Sequence, residues 1–177
     1  MLEAPPLSES KNVSDLNMVT AYIGLGSNLE NPTAQIKSAR ASIAKLEGVQ
    51  ETAFSSLYQS IPMGPQDQPD YINAVISVAT SLLPHELLHG LQAIENEQGR
   101  IRKGDRWGAR TLDLDLLLYG DQQIHTSDLT VPHPGLAERA FVLYPLYELT
   151  TQLWVPGIGN IAELIKNCPR TGLTRIN

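Results

Sequence analysis

Asp113 and Asp115 stand in a run of leucines, where a carboxylate is costly. Residues 106–120 read RWGARTLDLDLLLYG, and the aspartates alternate with Leu112, Leu114 and Leu116. In a strand, residues i and i+2 share one face about 6–7 Å apart. The two carboxylates therefore stand side by side while the leucines enter a core. Neighbouring carboxylates repel and raise each other's pKa unless a cation neutralises them. Oxygen-only ligation suits Mg²⁺, which keeps waters and takes further ligands from substrate phosphates. Two such ions about 3.5–4 Å apart would clamp an in-line displacement at phosphorus. The bland alternative is a pair of surface aspartates salt-bridged to nearby arginines.

Cations are close at hand in the sequence. Five of the 13 Lys and Arg residues fall within eleven positions: Arg100, Arg102, Lys103, Arg106 and Arg110. The net charge of −6 argues against broad nucleic-acid binding. No aromatic RNA-binding stripe accompanies it. One dense basic loop on an acidic chain points instead to a small polyanion, with guanidinium groups on phosphate oxygens.

Three other motifs compete for attention. His85 to His89 read HELLH, a literal match to the zinc-protease pattern. Pro84 places it in a first helical turn. Leu87, Leu88, Leu91 and Ile94 form the apolar stripe, which leaves His85 and His89 on the solvated side. The match is read as chance. Glu95 lies at the edge of that stripe, either near a ligand or as an ordinary flanking carboxylate. Gly24 to Asn28, GLGSN, lacks the GK[ST] ending of a phosphate loop and reads as a strand-ending turn. His133 sits between two prolines, a rigid mount for a phosphate contact.

The elements that must hold these residues follow from periodicity. VTAYIGLG from Val19 reads as a buried strand. Asn31 and Pro32 open a helix with Ile36, Ala39, Ile43 and Leu46 on one face. Residues 49–58 read as one strand and residues 60–70 as a loop with three prolines. YINAVISVATSL is a strand with Tyr71 and Asn73 on one face. Pro84 opens a second helix to about Gln98, and the aspartate strand follows the basic loop. AFVLYPLYEL is partly helical, and a short helix lies near residues 161–166. The expected fold is α+β: a ferredoxin-like β-α-β-β-α-β sandwich with a largely antiparallel sheet, helices packed on it, and a C-terminal extension.

The 177 residues suit one domain. Residues 1–17, polar and rich in Ser and Pro, read as a flexible leader, with a single domain at 18–177. No apolar run approaches the length of a membrane span, and the start is not a signal peptide. The single cysteine, Cys168, cannot form an internal disulfide, which suggests the cytoplasm.

RWGARTLDLDLL resembles the signature of the 6-hydroxymethyl-7,8-dihydropterin pyrophosphokinase family. The likeness continues through AYIGLGSN, GPQDQPDYINAV, IENEQGRIRK and TVPHP…RAFVLYPL, in order from about residue 20 to 148. The resemblance implies transfer of the β,γ-pyrophosphoryl group of ATP to the pterin's hydroxymethyl oxygen, with release of AMP, in folate biosynthesis. It implies two Mg²⁺ between the triphosphate and Asp113 and Asp115. Arg100 and Arg110 match catalytic arginines, and Arg102, Lys103 and Trp107 a loop closing over ATP. Gln92, Leu116, Thr130, His133 and Arg139 match nucleotide contacts, and Glu95 a supporting carboxylate. The pterin would stack between Tyr71 and Phe141, read by Asn73 and by the loop carrying Ser60, Pro62 and Gly64. Core packing is the alternative for Tyr71 and Phe141. Small-molecule partners, no nucleic acid, no membrane and a monofunctional monomer are expected. Ser60 departs mildly from the Thr common at the loop start, and Asp128 and Gly135 depart from an Arg and a basic residue found in the family; the last two bear on the nucleotide contacts and affinity, not on the reaction.

Overall fold

In the computed structural model, residues 17–99 and 112–177 are described. The basic loop and nearly all of the leader lie outside them. Strand β1 (Val19–Ser27) buries Ala21, Ile23 and Leu25 on one face. Asn31 accepts the Ala34 N–H at 3.4 Å and Pro32 takes the first helical position. Helix α1 (Pro32–Ala44) thus starts where capping chemistry dictates, and it buries Ile36, Ala39 and Ile43. Then come β2 (Val49–Phe54), β3 (Tyr58–Ser60), β4 (Tyr71–Thr80), α2 (Pro84–Glu97) and β5 (Asp113–Tyr119).

Residues 49–58 do not form one strand. β2 pairs with the far half of β4, from Ile76 to Thr80, and β3 with its near end, from Tyr71 to Asn73. At the break, Ser55 N–H donates to the Val75 carbonyl and the Val75 N–H donates to Ser55 Oγ, both at 2.9 Å. A hydroxyl replaces a ladder carbonyl, so the chain bends without leaving a buried amide unpaired. The bend delivers Ser60 to the base of the following loop.

The remaining elements are β6 (Ile124–His125), β7 (Thr130–Val131), α3 (Ala140–Leu149), β8 (Trp154–Val155), β9 (Gly159–Asn160), α4 (Ile161–Lys166) and β10 (Leu173–Arg175). The main sheet runs β10-β3-β4-β1-β5, with β2 also on β4, and every pairing is antiparallel. This is the ferredoxin-like α+β order, extended by β10. Two cores flank the sheet. Leu87, Leu91 and Ile94 of α2 join α1 against Ile23, Ile76, Leu114 and Leu116. On the other face Val142, Leu143 and Leu146 of α3, with Ile161 of α4, cover Val75, Leu117 and Leu118. The C-terminal extension is therefore a third layer. α3 continues through Pro145, whose missing N–H and ring disfavour a helix interior. Burial of Leu143, Pro145 and Leu146 against the sheet outweighs that local penalty. Among the described residues no helix is long and apolar enough to cross a membrane.

Candidate active site

The second sheet face is only partly covered, and the site occupies the gap. Cross-strand register aligns Asn73 of β4, Gly26 of β1 and Asp113 of β5 in one row. The next row is Val75, Gly24 and Asp115. The two glycines have no side chains, so the strand between Asn73 and the aspartates is a bare floor. GLGSN holds the end of β1: Gly24 to Gly26 lie in the strand read from Val19, and the strand runs one residue further, to Ser27. The spacing of Gly24 and Gly26 at i and i+2, on one strand face, was the signal available in the sequence.

Asp113 and Asp115 are half-buried on this face, while Leu112, Leu114 and Leu116 are buried behind them. A β-bulge in β5 at Leu117, opposite Tyr22 and Ile23, turns Leu117 and Leu118 into the second core. The strand can therefore present carboxylates at one end and leucines at the other on the same side. Glu95, 2 % exposed, accepts the Leu114 N–H at 3.0 Å. It fixes the backbone between the two aspartates.

Two clefts meet at this strand. The first encloses about 690 Å³, its open mouth included, and is lined by Ser60, Gly64, Tyr71, Asn73, Asp113, Asp115, Arg139 and Phe141 over the glycine floor. Ile61, Met63 and Val142, which the sequence did not single out, complete its apolar wall. Pro62 is buried and does not line it; its carbonyl accepts from Gln66 Nε2 at 2.9 Å, which shapes the loop. Asn73 Nδ2 donates to the Tyr58 carbonyl at 3.2 Å and to Ser60 Oγ at 2.8 Å. That leaves its Oδ1 as the acceptor on the floor. Asn28, 1 % exposed, donates to Gln68 Oε1 and the Pro69 carbonyl, both at 3.0 Å, and ties the loop to the end of β1.

The second cleft, about 670 Å³ with its mouth, is lined by Leu88, Asp115, Leu116, Asp128, Thr130 and His133, among others. Asp115 borders both clefts. His133 Nδ1 accepts the Gly135 N–H at 3.1 Å, so Nε2 carries the ring proton in the neutral form and lies 3.9 Å from Asp115 Oδ2. Asp128 accepts from Thr126 Oγ1 at 2.9 Å and pairs with His85 Nε2 at 3.0 Å. The Thr126 hydroxyl first, and His85 second, hold its carboxyl below the usual range. Gln92 is half-buried on α2 and lines neither cleft, and Arg139 lines the first rather than the second. The Arg139 side chain lies directly over Gly135, where a Cβ would collide with it. Arg100, Arg102, Lys103, Trp107 and Arg110 lie outside the described residues.

The donors fit magnesium and not zinc. Two carboxylates share one solvent-reaching face, with Asp115 39 % exposed, and among the described residues no cluster of three or more His, Cys, Asp or Glu side chains is arranged to hold a metal. Such a set leaves positions for water and phosphate oxygens. In HELLH, Glu86 instead accepts the Leu83 N–H at 2.8 Å and caps α2, and His89 is exposed.

A carboxylate pair at the junction of two clefts is a site that could hold metal ions against a phosphoryl group in transfer. Residues 22–151 match the family of 7,8-dihydro-6-hydroxymethylpterin-pyrophosphokinase. A Haemophilus influenzae protein named 2-amino-4-hydroxy-6-hydroxymethyldihydropteridine pyrophosphokinase is 48% identical over 160 residues, covering 90% of this chain and 99% of that one. A Pseudomonas aeruginosa protein of the same name is 47% identical over 155 residues, covering 88% and 95%. The chain belongs to this pyrophosphokinase family. Among solved structures, a Plasmodium falciparum HPPK-DHPS shares the fold with a TM-score of 0.71 at 12% identity. That match covers 90% of this chain and 46% of the solved one, so the chain spans just under half of that protein's length.

Proposed function

We propose that this chain transfers the β,γ-pyrophosphoryl group of ATP to the hydroxymethyl oxygen of 6-hydroxymethyl-7,8-dihydropterin, giving the pterin pyrophosphate and AMP in folate biosynthesis. The observation that carries the reading is the sharing of Asp115 by the two clefts. A planar ligand in the first and a nucleotide in the second would present their reacting ends to the same carboxylate pair.

Tyr71 and Phe141 line the first cleft and would stack on a pterin. Asn73 Oδ1 would accept from the pterin's amino edge, and the loop backbone at Ser60 and Gly64 would meet the rest. The apolar walls of the second cleft, with Leu116, suit a nucleobase, and Thr130 and His133 its sugar or phosphates. Gln92 and Arg139 complete the nucleotide contacts in this reading. Arg100 and Arg110 would neutralise charge on the transferred group, and Arg102, Lys103 and Trp107 would cover ATP.

Asp113 and Asp115 would hold two magnesium ions, which neutralise phosphate charge when bound. The chain's own part is positioning. Glu95 fixes the aspartates, the glycine floor lets the pterin approach them, and His133 presents a donor beside Asp115. Pyrophosphoryl transfer to an alcohol depends on such alignment more than on covalent chemistry. The same reading has a cytoplasmic monomer acting on small molecules.

Asp113→Asn and Asp115→Asn are the direct tests. Each should lose turnover by about 10²-fold or more with the thermal transition nearly unchanged. Normal turnover in both would sink the reading.

A further inference from the structure

The last strand of the chain, outside the family match at residues 22–151, packs against the pterin side of the site. β10 pairs with β3 through Leu173 and Ser60, Thr174 and Gln59, and Arg175 and Tyr58. The Ile61 N–H donates to the Gly172 carbonyl at 3.3 Å, and the Ile176 N–H to the Leu57 carbonyl at 3.0 Å. The loop residue Ile61, which lines the first cleft, is therefore held from behind by residue 172. Gly172 has φ of 75°, and a Cβ there would stand 2.9 Å from Ile61 Cγ1 and 3.0 Å from Cδ1. Its lack of a side chain sets how far Ile61 can retreat from the cleft.

A second tie joins the same strand to the opposite wall. Glu148, on α3, accepts from Ser56 Oγ at 2.6 Å, from Tyr58 OH at 2.9 Å and from the Ser56 N–H. Arg175 of β10 lies 3.3 Å from the same carboxylate. α3 also carries Phe141 and Val142. One carboxylate thus links the helix bearing one wall of the cleft to the strands that carry the other.

We infer that β10 with Gly172 is a positioning element of the pterin cleft, setting the distance between the loop carrying Ile61 and the helix carrying Phe141. This rests on the functional reading above. It concerns the pterin alone, because the second cleft has no lining residue on β3, α3 or β10.

Gly172→Ala and Arg175→Met, each in the full chain, test it. Pterin binding is read by fluorescence titration without nucleotide, beside the KM for each substrate. Gly172→Ala should weaken pterin binding and raise its KM by roughly tenfold, through displacement of Ile61. Arg175→Met cuts one exposed tie and should give about two- to fivefold. The KM for ATP should not move in either. Unchanged pterin binding in both variants overturns the inference, as does an equal rise in both KM values with a lowered thermal transition, which marks a merely structural strand. A wild-type chain that neither binds nor turns over the pterin with ATP and Mg²⁺ present overturns the functional reading itself, and the inference with it.

Discussion

Gly26 offers a test of the cleft floor that separates ligand space from fold stability. A methyl group at residue 26 would stand 3.5 Å from Asn73 Oδ1 and 3.9 Å from Tyr71 Cδ1, ordinary contact distances. The backbone there is regular strand, paired with Asn73 on one side and Asp113 on the other. Gly26→Ala should therefore fold, and replacing a strand glycine can add about 0.5–1 kcal/mol of stability. The methyl, however, rises into the row between Asp113 and Asn73, the residue proposed to read the pterin. Overpacking a fitted site by one carbon costs about 1–3 kcal/mol. Loaded onto the bound state alone, that is about a 5- to 150-fold loss of pterin affinity. Isothermal titration with the pterin, alongside thermal unfolding, reads both quantities. An unchanged pterin affinity would refute the argument, because the floor would then not be ligand space. A large fall in the thermal transition would refute it differently, by showing that the methyl does not fit the free protein.

Other residues give independent checks. Gly135→Ala should displace Arg139 from its seat and lower turnover as Arg139→Ala does. The double variant should be little worse than either single one, because the two share one mechanism; additive losses in kcat/KM would contradict this. Glu95→Ala leaves the buried Leu114 N–H without its acceptor, which should cost about 1–3 kcal/mol in chemical denaturation. It should also lower turnover by loosening both aspartates, and an unaltered denaturation midpoint would refute the assignment. Burial, with the hydrogen bond to Glu148 second, pushes the Tyr58 phenol up to about 12. A raised folded pKa means the native state holds its proton more tightly. Tyr58 therefore contributes stability that is fully present below pH 10 and is lost as the pH rises towards 12. Tyr58→Phe should flatten that alkaline decline in a pH series of unfolding curves. An unchanged slope would show that another group controls it. Burial raises the Glu148 carboxyl, but hydrogen bonds from Ser56 and Tyr58, with the Arg175 charge last, more than offset it and leave it below the usual range. Its contribution is present at neutral pH and fades in acid, as the pH falls through that lowered value.

What was legible in the sequence was what repeats along the chain. The alternation of Asp113 and Asp115 with leucines fixed which way each faces, and the Asn31–Pro32 pair marked the start of α1. The apolar stripe of α2 correctly set HELLH on a solvated side, and the edge position of Glu95 hinted at its burial. Features that depend on two distant segments were not legible. The break between β2 and β3 arises because Ser55 exchanges hydrogen bonds with Val75, twenty positions away. Gly24 and Gly26 fall inside the strand read from Val19, but their value as a floor lies in what stands on either side of them, on β4 and β5. The closeness of Gly135 to Arg139 spans only four residues, yet it needs the side-chain path to be known. The knot at Glu148 joins residues 92 positions apart and had no local signature.

The identity of the group transferred separates a pyrophosphokinase from a simple kinase. The most direct measurement incubates the protein with ATP, Mg²⁺ and 6-hydroxymethyl-7,8-dihydropterin and separates AMP from ADP. AMP should form in step with pterin pyrophosphate, depend on the pterin, and be lost in both Asp113→Asn and Asp115→Asn. ADP as the nucleotide product, or AMP formed equally without pterin, would contradict it.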